Sequence, residues 1–172
     1  EVKKEKVLQT DIKIKIKEES GFTEKQSKAY DMFFDFLNDK NKNMFVLAGY
    51  SGTGKTYLIS RISKVLTCMD YRFTTATFTG KASSVLRSRG VESDTIHSLM
   101  YKPIIDEDTG SIKGWTKNGN LPYNLVFIDE YSMLTEEIIN DLLSYNIKIC
   151  FAGDKFQLPP VGLDCNYLDD KV

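Results

Sequence analysis

One hundred and seventy-two residues make room for one ordinary domain, not comfortably for two. Hydrophobic residues at 41% and aromatics at 12% support a packed core and exclude a disordered chain. A formal net charge of −1 excludes a global positive field, so a nucleic acid must be held by a local patch. Apolar runs such as Met44 to Ala48 are far too short to span a bilayer, and the charged start Glu1 to Lys6 has no signal-peptide core. Cys68, Cys150 and Cys165 are far apart with no CxxC, which reads as buried thiols in a reducing, cytoplasmic setting. The chain begins without Met and ends soon after a motif, which reads as a piece of something longer.

In chain order, Asp11 to Lys17 alternates Ile with Lys and predicts a half-buried strand at a sheet edge, part of an N-terminal extension over residues 1–20. Thr23 caps a helix running to about Leu37, with Ala29, Met32, Phe33, Phe36 and Leu37 at helical spacing. Met44 to Ala48 predicts a buried strand, followed by a glycine-rich turn and a helix from about Lys55 to Leu66. Phe73 to Phe78 reads as a strand, Lys81 to Arg89 as a helix ended by Gly90, and Thr95 to Met100 as a short helix. Turn signals between Tyr101 and Asn124 suggest a small hairpin carrying Ile112 and Trp115. Leu125 to Ile128 and Ile147 to Ala152 predict buried strands, separated by a helix over Glu136 to Leu143. Apolar strands alternating with helices predict an α/β domain over residues 21–172, a mostly parallel sheet covered on both faces.

Gly49-Tyr50-Ser51-Gly52-Thr53-Gly54-Lys55-Thr56 satisfies GxxxxGK[ST] between a predicted strand and a predicted helix. Glycines there let successive backbone N–H groups turn toward phosphate oxygens, and the helix adds its positive end. Lys55 supplies a charge for the β- and γ-phosphates of ATP, and the Thr56 hydroxyl a ligand for Mg²⁺. Asp129 and Glu130 end a buried strand, which suits the first to the metal and the second to polarising the attacking water. Gln157, in Gly153 to Pro160, is uncharged and can hydrogen-bond a γ-phosphate without acting as a base. The plainer readings are that Asp129 and Glu130 cap a strand, that Thr95 caps a helix, that Lys81 is a solvated helix start, and that His97 packs locally.

These residues together resemble the first RecA-like domain of superfamily-1 DNA helicases, in the branch containing RecD and the phage helicase Dda. Phe22 to Gln26 looks like the Q motif, Gly49 to Thr56 like motif I, Thr77 to Ala82 like motif Ia and Thr95 to Leu99 like motif Ib. Ile128 to Met133 looks like motif II and Gly153 to Gly162 like motif III, so the likeness covers about residues 21–162. The resemblance implies that Gln26 reads the adenine edge, that Gly49, Ser51, Gly52, Thr53 and Gly54 cradle the phosphates, and that Gln157 senses the γ-phosphate. It also implies that Thr79, Lys81, Thr95 and His97 face single-stranded DNA. The strand bearing motif III is expected between those bearing motifs I and II.

Motifs IV to VI and an arginine finger belong, by the same likeness, to a second RecA-like domain that these residues do not hold. Arg61, Arg72, Arg87 and Arg89 are poor substitutes, so the chain alone is expected to hydrolyse ATP slowly and not to unwind DNA. Movement along one strand in this branch is expected to run 5′ to 3′. The residues name no nuclease partner. Two other readings stay open: a stand-alone ATPase of another P-loop class, such as an AAA+ or packaging motor, and a non-catalytic nucleotide- or DNA-binding module.

Overall fold

The computed structural model describes residues 2–88 and 91–154, and the side chains from residue 9 onward. Five strands, β1 (Met44–Ala48), β2 (Phe73–Thr77), β3 (Ser93–Thr95), β6 (Leu125–Asp129) and β7 (Lys148–Gly153), form one sheet in the order β1-β7-β6-β2-β3. Every pairing in it is parallel. Parallel neighbours need crossovers, and these are α3 (Lys55–Cys68), α4 (Gly80–Ser88) and α6 (Glu136–Leu143). The short α5 (Ile96–Met100) leads out of β3 into β4 (Tyr101–Ile105), which pairs antiparallel with β5 (Ile112–Lys117) as a separate hairpin. The strand leading into motif III does lie between those of motifs I and II.

Both faces of the sheet are covered, which is why its strands read as continuous apolar runs. Successive side chains of β6 and β7 point to opposite sides. Leu125, Phe127, Cys150 and Ala152 join one core with Tyr30, Phe33, Leu58, Ile62 and Leu66, from α3 and from α2 (Glu24–Asn38). Val126, Ile128, Ile149 and Phe151 join the other with Leu99, Met100, Ile139 and Leu142. Phe127 is fully buried; it stacks on Phe33 with ring centroids 5.5 Å apart and meets Phe73 edge-on at 6.0 Å.

Residues 11–17 are not an edge strand. They lie in α1 (Val2–Glu19), which packs beside α3. Over seven residues the spacing of Ile12 and Ile16 fits a helix face as well as a strand face, and both side chains pack on the core while Ile14 is 49% exposed. Lys and Glu between them are good helix formers. Tertiary bonds then hold the helix: the Tyr30 hydroxyl donates to Lys13 O at 2.9 Å, and Lys17 pairs with Asp31 at 2.6 Å. Tyr57 OH donates to Ser20 O at 2.8 Å and Arg61 Nε to Ser20 Oγ at 2.7 Å, fastening the end of α1 to α3.

Cys150 is buried, but Cys68, the last residue of α3, is exposed where that helix leaves the sheet; Cys165 lies outside the described residues. Among the described residues, no helix is long and apolar enough to cross a membrane.

Truncating the ring at the centre of the first core, Phe127→Ala, is expected to lower unfolding free energy by about 3–5 kcal/mol in urea titration.

Candidate nucleotide site and its flank

The parallel order brings the C-terminal ends of β1, β7 and β6 to one edge. Ala48 is the register partner of Gly153, and Ala152 that of Asp129. Gly49 N continues the ladder by donating to Gly153 O at 3.1 Å, so the loop after β1 starts from a fixed point. Gly52 and Gly54 have φ of +79° and +83°, which L side chains rarely adopt. A Cβ on Gly54 would also sit 2.5 Å from Gln26 Nε2. α3 then begins at Lys55, with Leu58 N donating to Gly54 O at 2.9 Å.

Ser51, Gly52, Thr56, Asp129, Glu130 and Asp154 are among the residues lining one open cavity of about 460 Å³. A second, of about 420 Å³, lies on the other side of the loop against Gln26, Ala29, Tyr50, Thr53 and Leu58. Gly54 and Lys55 line both, so the two cavities meet at the loop. The structure therefore brings together Lys55, Thr56, Asp129 and Glu130, as the sequence suggested. Lys55 Nζ donates to Gly49 O at 2.6 Å and Tyr50 O at 2.9 Å, folded back across the loop. Glu130 takes a left-handed conformation, φ +59°, with its N–H donating to Asp129 Oδ1 at 3.1 Å, and this sharp turn opens the 3-10 turn Tyr131–Met133. The Tyr131 ring fills the space over Gly153, where a Cβ would come within 2.7 Å of it.

Gln26 has a more structural position than expected. Its Oε1 accepts from Thr23 N at 3.0 Å while Gln26 N donates to Thr23 Oγ1 at 3.3 Å, a reciprocal cap on α2. Its Nε2 donates to Thr53 O at 3.1 Å, so one amide ties the start of α2 to the phosphate loop. Asp154 is a residue that sequence reasoning passed over. It is 8% exposed, and its Oδ2 accepts from Ser51 N at 3.1 Å. A carboxylate ending an apolar strand was the available signal, the same one that singled out Asp129. Beneath the site, burial first and the charge of Asp129 second push the Cys150 thiol up, keeping it protonated. Gln157 lies outside the described residues.

The flank of this edge is built by β2 and β3, which pair through Thr77 and Thr95. The chain leaves both strands at the same end. Thr79 Oγ1 accepts from Ala82 N at 3.3 Å and Thr95 Oγ1 from Ser98 N at 3.1 Å, so both hydroxyls cap helices, and Lys81 is exposed. Ser83 Oγ bonds the Thr77 hydroxyl at 2.6 Å and donates to Asp94 O at 2.8 Å, locking the two segments together. His97 packs against Tyr101 and Trp115. Arg61 is engaged by Ser20, and Arg72 Nε donates to Asn124 Oδ1 at 3.2 Å, so neither is aimed at the phosphate loop. Arg89 lies outside the described residues.

The hairpin is moored to α6 at its base. Asp141 accepts from the Tyr101 hydroxyl at 2.6 Å and from Lys117 Nζ at 2.7 Å. The Lys117 ammonium first and the Tyr101 hydroxyl second hold the Asp141 carboxyl below the usual range. The same bond pushes the Tyr101 phenol up to about 12. Tyr145 OH donates to Met100 O at 3.1 Å, adding a second tie.

Residues 37–163 match the model of a family described as AAA domain. The chain belongs to the AAA domain family. Its relatives set it, within that family, among the superfamily-1 helicases as a RecA-like domain. It is 36% identical over 168 residues to protein R530 of Acanthamoeba polyphaga mimivirus, covering 82% of this chain and 34% of the relative. The ATP-dependent DNA helicase Pif1 of a Psychrobacter species is 33% identical over 139 residues, covering 70% of this chain and 20% of the relative. The ATP-dependent RecD2 DNA helicase of Deinococcus radiodurans is 27% identical over 152 residues, covering 84% and 19%. The crystal structure of Bacteroides sp Pif1 in complex with ADP-AlF4 shares the fold, with a TM-score of 0.54 and 24% identity over 86% of this chain and 36% of that one. The chain thus spans between 19% and 34% of the length of these curated relatives.

Gly54→Ala combines a φ that L side chains rarely adopt with close approach to Gln26 Nε2, so it is expected to cost about 1–3 kcal/mol in urea titration and to disturb the loop. Asp141 has a lowered carboxyl pKa, so its contribution is fully present above about pH 4 and is lost as pH falls through the lowered value. Asp141→Asn is expected to lower the melting temperature at pH 7, with a loss of unfolding free energy under about 1 kcal/mol for a partly exposed pair. Parent and variant melting temperatures are expected to converge as pH falls below the lowered value.

Proposed function

We propose that the chain is the nucleotide-binding motor domain of an ATP-dependent DNA helicase, which couples ATP hydrolysis to 5′ to 3′ movement along single-stranded DNA. The observation that carries it is the meeting of Lys55, Thr56, Asp129 and Glu130 around one cavity at the C-terminal edge of a parallel sheet. Names of relatives support it, since Pif1 and RecD2 are both ATP-dependent DNA helicases.

The chain's residues fit Mg²⁺-ATP. The loop N–H groups and the left-handed Gly52 and Gly54 form a concave donor set for phosphate oxygens. Lys55 turns from its loop carbonyls to the β- and γ-phosphates, and Thr56 and Asp129 are hard oxygen donors suited to a magnesium ion. Magnesium, when bound, neutralises charge on the phosphates. Glu130 holds and polarises the attacking water, and Gln157 hydrogen-bonds the γ-phosphate. Gln26 borders the second cavity, where its amide exchanges Thr53 O for the edge of an adenine.

An arginine finger is worth roughly 10³–10⁵ in rate. With Arg61 and Arg72 tied elsewhere, that group comes from a second RecA-like domain, and turnover by this chain alone is slow. Thr79, Lys81, Thr95 and His97 form the flank that meets single-stranded DNA, the lysine and the backbone around the two capped turns facing phosphates.

Mg²⁺-ATP at a hundredfold excess over its Kd is expected to stabilise the chain by about 2.7 kcal/mol. Read by thermal shift, that is about 5–10 °C for a domain of this size. Lys55→Ala is expected to lose the shift, and Glu130→Gln to keep it while phosphate release falls below the parent's. An unchanged melting temperature for the parent would refute the proposal.

A further inference from the structure

Three non-glycine residues among those described hold a positive φ: Asp70, Asn146 and Glu130, the last at +59°. Asp70 and Asn146 are of the types that enter that region most readily, and each lies between a helix and the next strand. A glutamate has no such ease, and it keeps a left-handed backbone only where its surroundings over-determine it. Glu130 is also the carboxylate assigned to the attacking water. Whatever fixes its backbone therefore fixes where that carboxylate stands.

Two contacts fix it. On the N-terminal side, Glu130 N donates to Asp129 Oδ1 at 3.1 Å. On the C-terminal side stands Tyr131, half-buried against the second core. A Cβ built on Gly153 would meet the Tyr131 ring at 2.7 and 2.9 Å, and Tyr131 N at 3.2 Å. Both the ring and the peptide that joins it to Glu130 are thus seated on the backbone of β7, in space that only a glycine leaves open. Phe151 meets the ring edge-on, centroids 6.4 Å apart and planes at 79°, and stops it sliding along the strand. Met133 N donates to Glu130 O at 3.2 Å and Leu134 N to Tyr131 O at 3.0 Å, with Leu134 buried, so the turn is closed from behind.

We propose that Tyr131 is a positioning residue for the hydrolytic step, a wedge on Gly153 that keeps Glu130 left-handed and its carboxylate at the cavity it lines with Lys55, Thr56 and Asp129. This rests on the reading of Glu130 as the carboxylate that holds the attacking water. Without the ring, the peptide after Glu130 turns, the backbone relaxes to an ordinary φ and the carboxylate leaves the line of attack. Nucleotide binding rests on the loop, Lys55 and Thr56, which belong to other elements. The ring therefore bears on rate and not on affinity.

Hydrolysis is followed in single turnover, with protein in excess over Mg²⁺-ATP and thermal shift giving binding separately. Tyr131→Ala is expected to keep the nucleotide shift and to lower the rate about tenfold, with Tyr131→Phe close to the parent. In a Glu130→Gln background the same substitution is expected to cause no further loss, because the group it positions is gone. Gly153→Ala crowds the ring from the other side and is expected to give the same loss even if Tyr131→Ala does not fold. A crystal structure of either variant is expected to show Glu130 out of the left-handed region. An unchanged rate, a left-handed Glu130 in that structure, or an equal loss in the Glu130→Gln background rejects the wedge while the motor reading stands. A parent whose melting temperature ignores Mg²⁺-ATP brings down the motor reading, and the role of Tyr131 in hydrolysis with it.

Discussion

The insertion of β7 between β1 and β6 is the constraint on which the rest of the molecule depends. Parallel strands about 5 Å apart end at one edge, so this order sets the glycine-rich loop and Asp129 on either side of β7, lining one cavity. The side chains that enforce the order are apolar on both faces, with Phe127 and Cys150 on one and Ile128 and Phe151 on the other.

On that edge the loop is held by bonds to its neighbours as much as by its own glycines. Gly49 N is anchored to Gly153 O, Ser51 N to Asp154, and Thr53 O to Gln26. Two of these anchors sit at the end of β7 and the third on α2. The 8%-exposed Asp154 bears on this most closely. Its carboxylate holds an amide of the loop suited to a phosphate oxygen, and it stands three residues before Gln157.

The two elements outside the sheet are fastened in the same spirit. The end of α1 is gripped by Tyr57 and Arg61 of α3, the helix that begins at Lys55, and Gly21 to Thr23 then lead straight into the cap that holds Gln26. The hairpin is moored by Tyr101, Lys117 and Asp141 to α6, the helix that follows Asp129 and Glu130.

Much of this was legible in the chain. Strands buried on both faces show as unbroken apolar runs, and the glycine-rich loop and the two carboxylates stand out by residue type and spacing. The hairpin showed in its turn signals, and Thr95 as a cap in its hydroxyl. The Ile–Lys alternation of residues 11–17 misled, because seven residues with Ile at every second position satisfy a strand and, through Ile12 and Ile16, a helix; contacts with Tyr30 and Asp31 decide between them. Cys68 was exposed for a similar reason, since burial at the end of a helix depends on what the helix passes over. By itself, then, the sequence determined the elements and the chemical groups, through local propensity, periodicity and motif spacing. Only the tertiary structure decided which groups meet: that Gln26 spans a helix cap and the loop, that Asp154 reaches Ser51, and that His97 stands against Trp115. Those contacts join residues up to 103 positions apart, and no local pattern encodes a distance that the packing of whole elements creates.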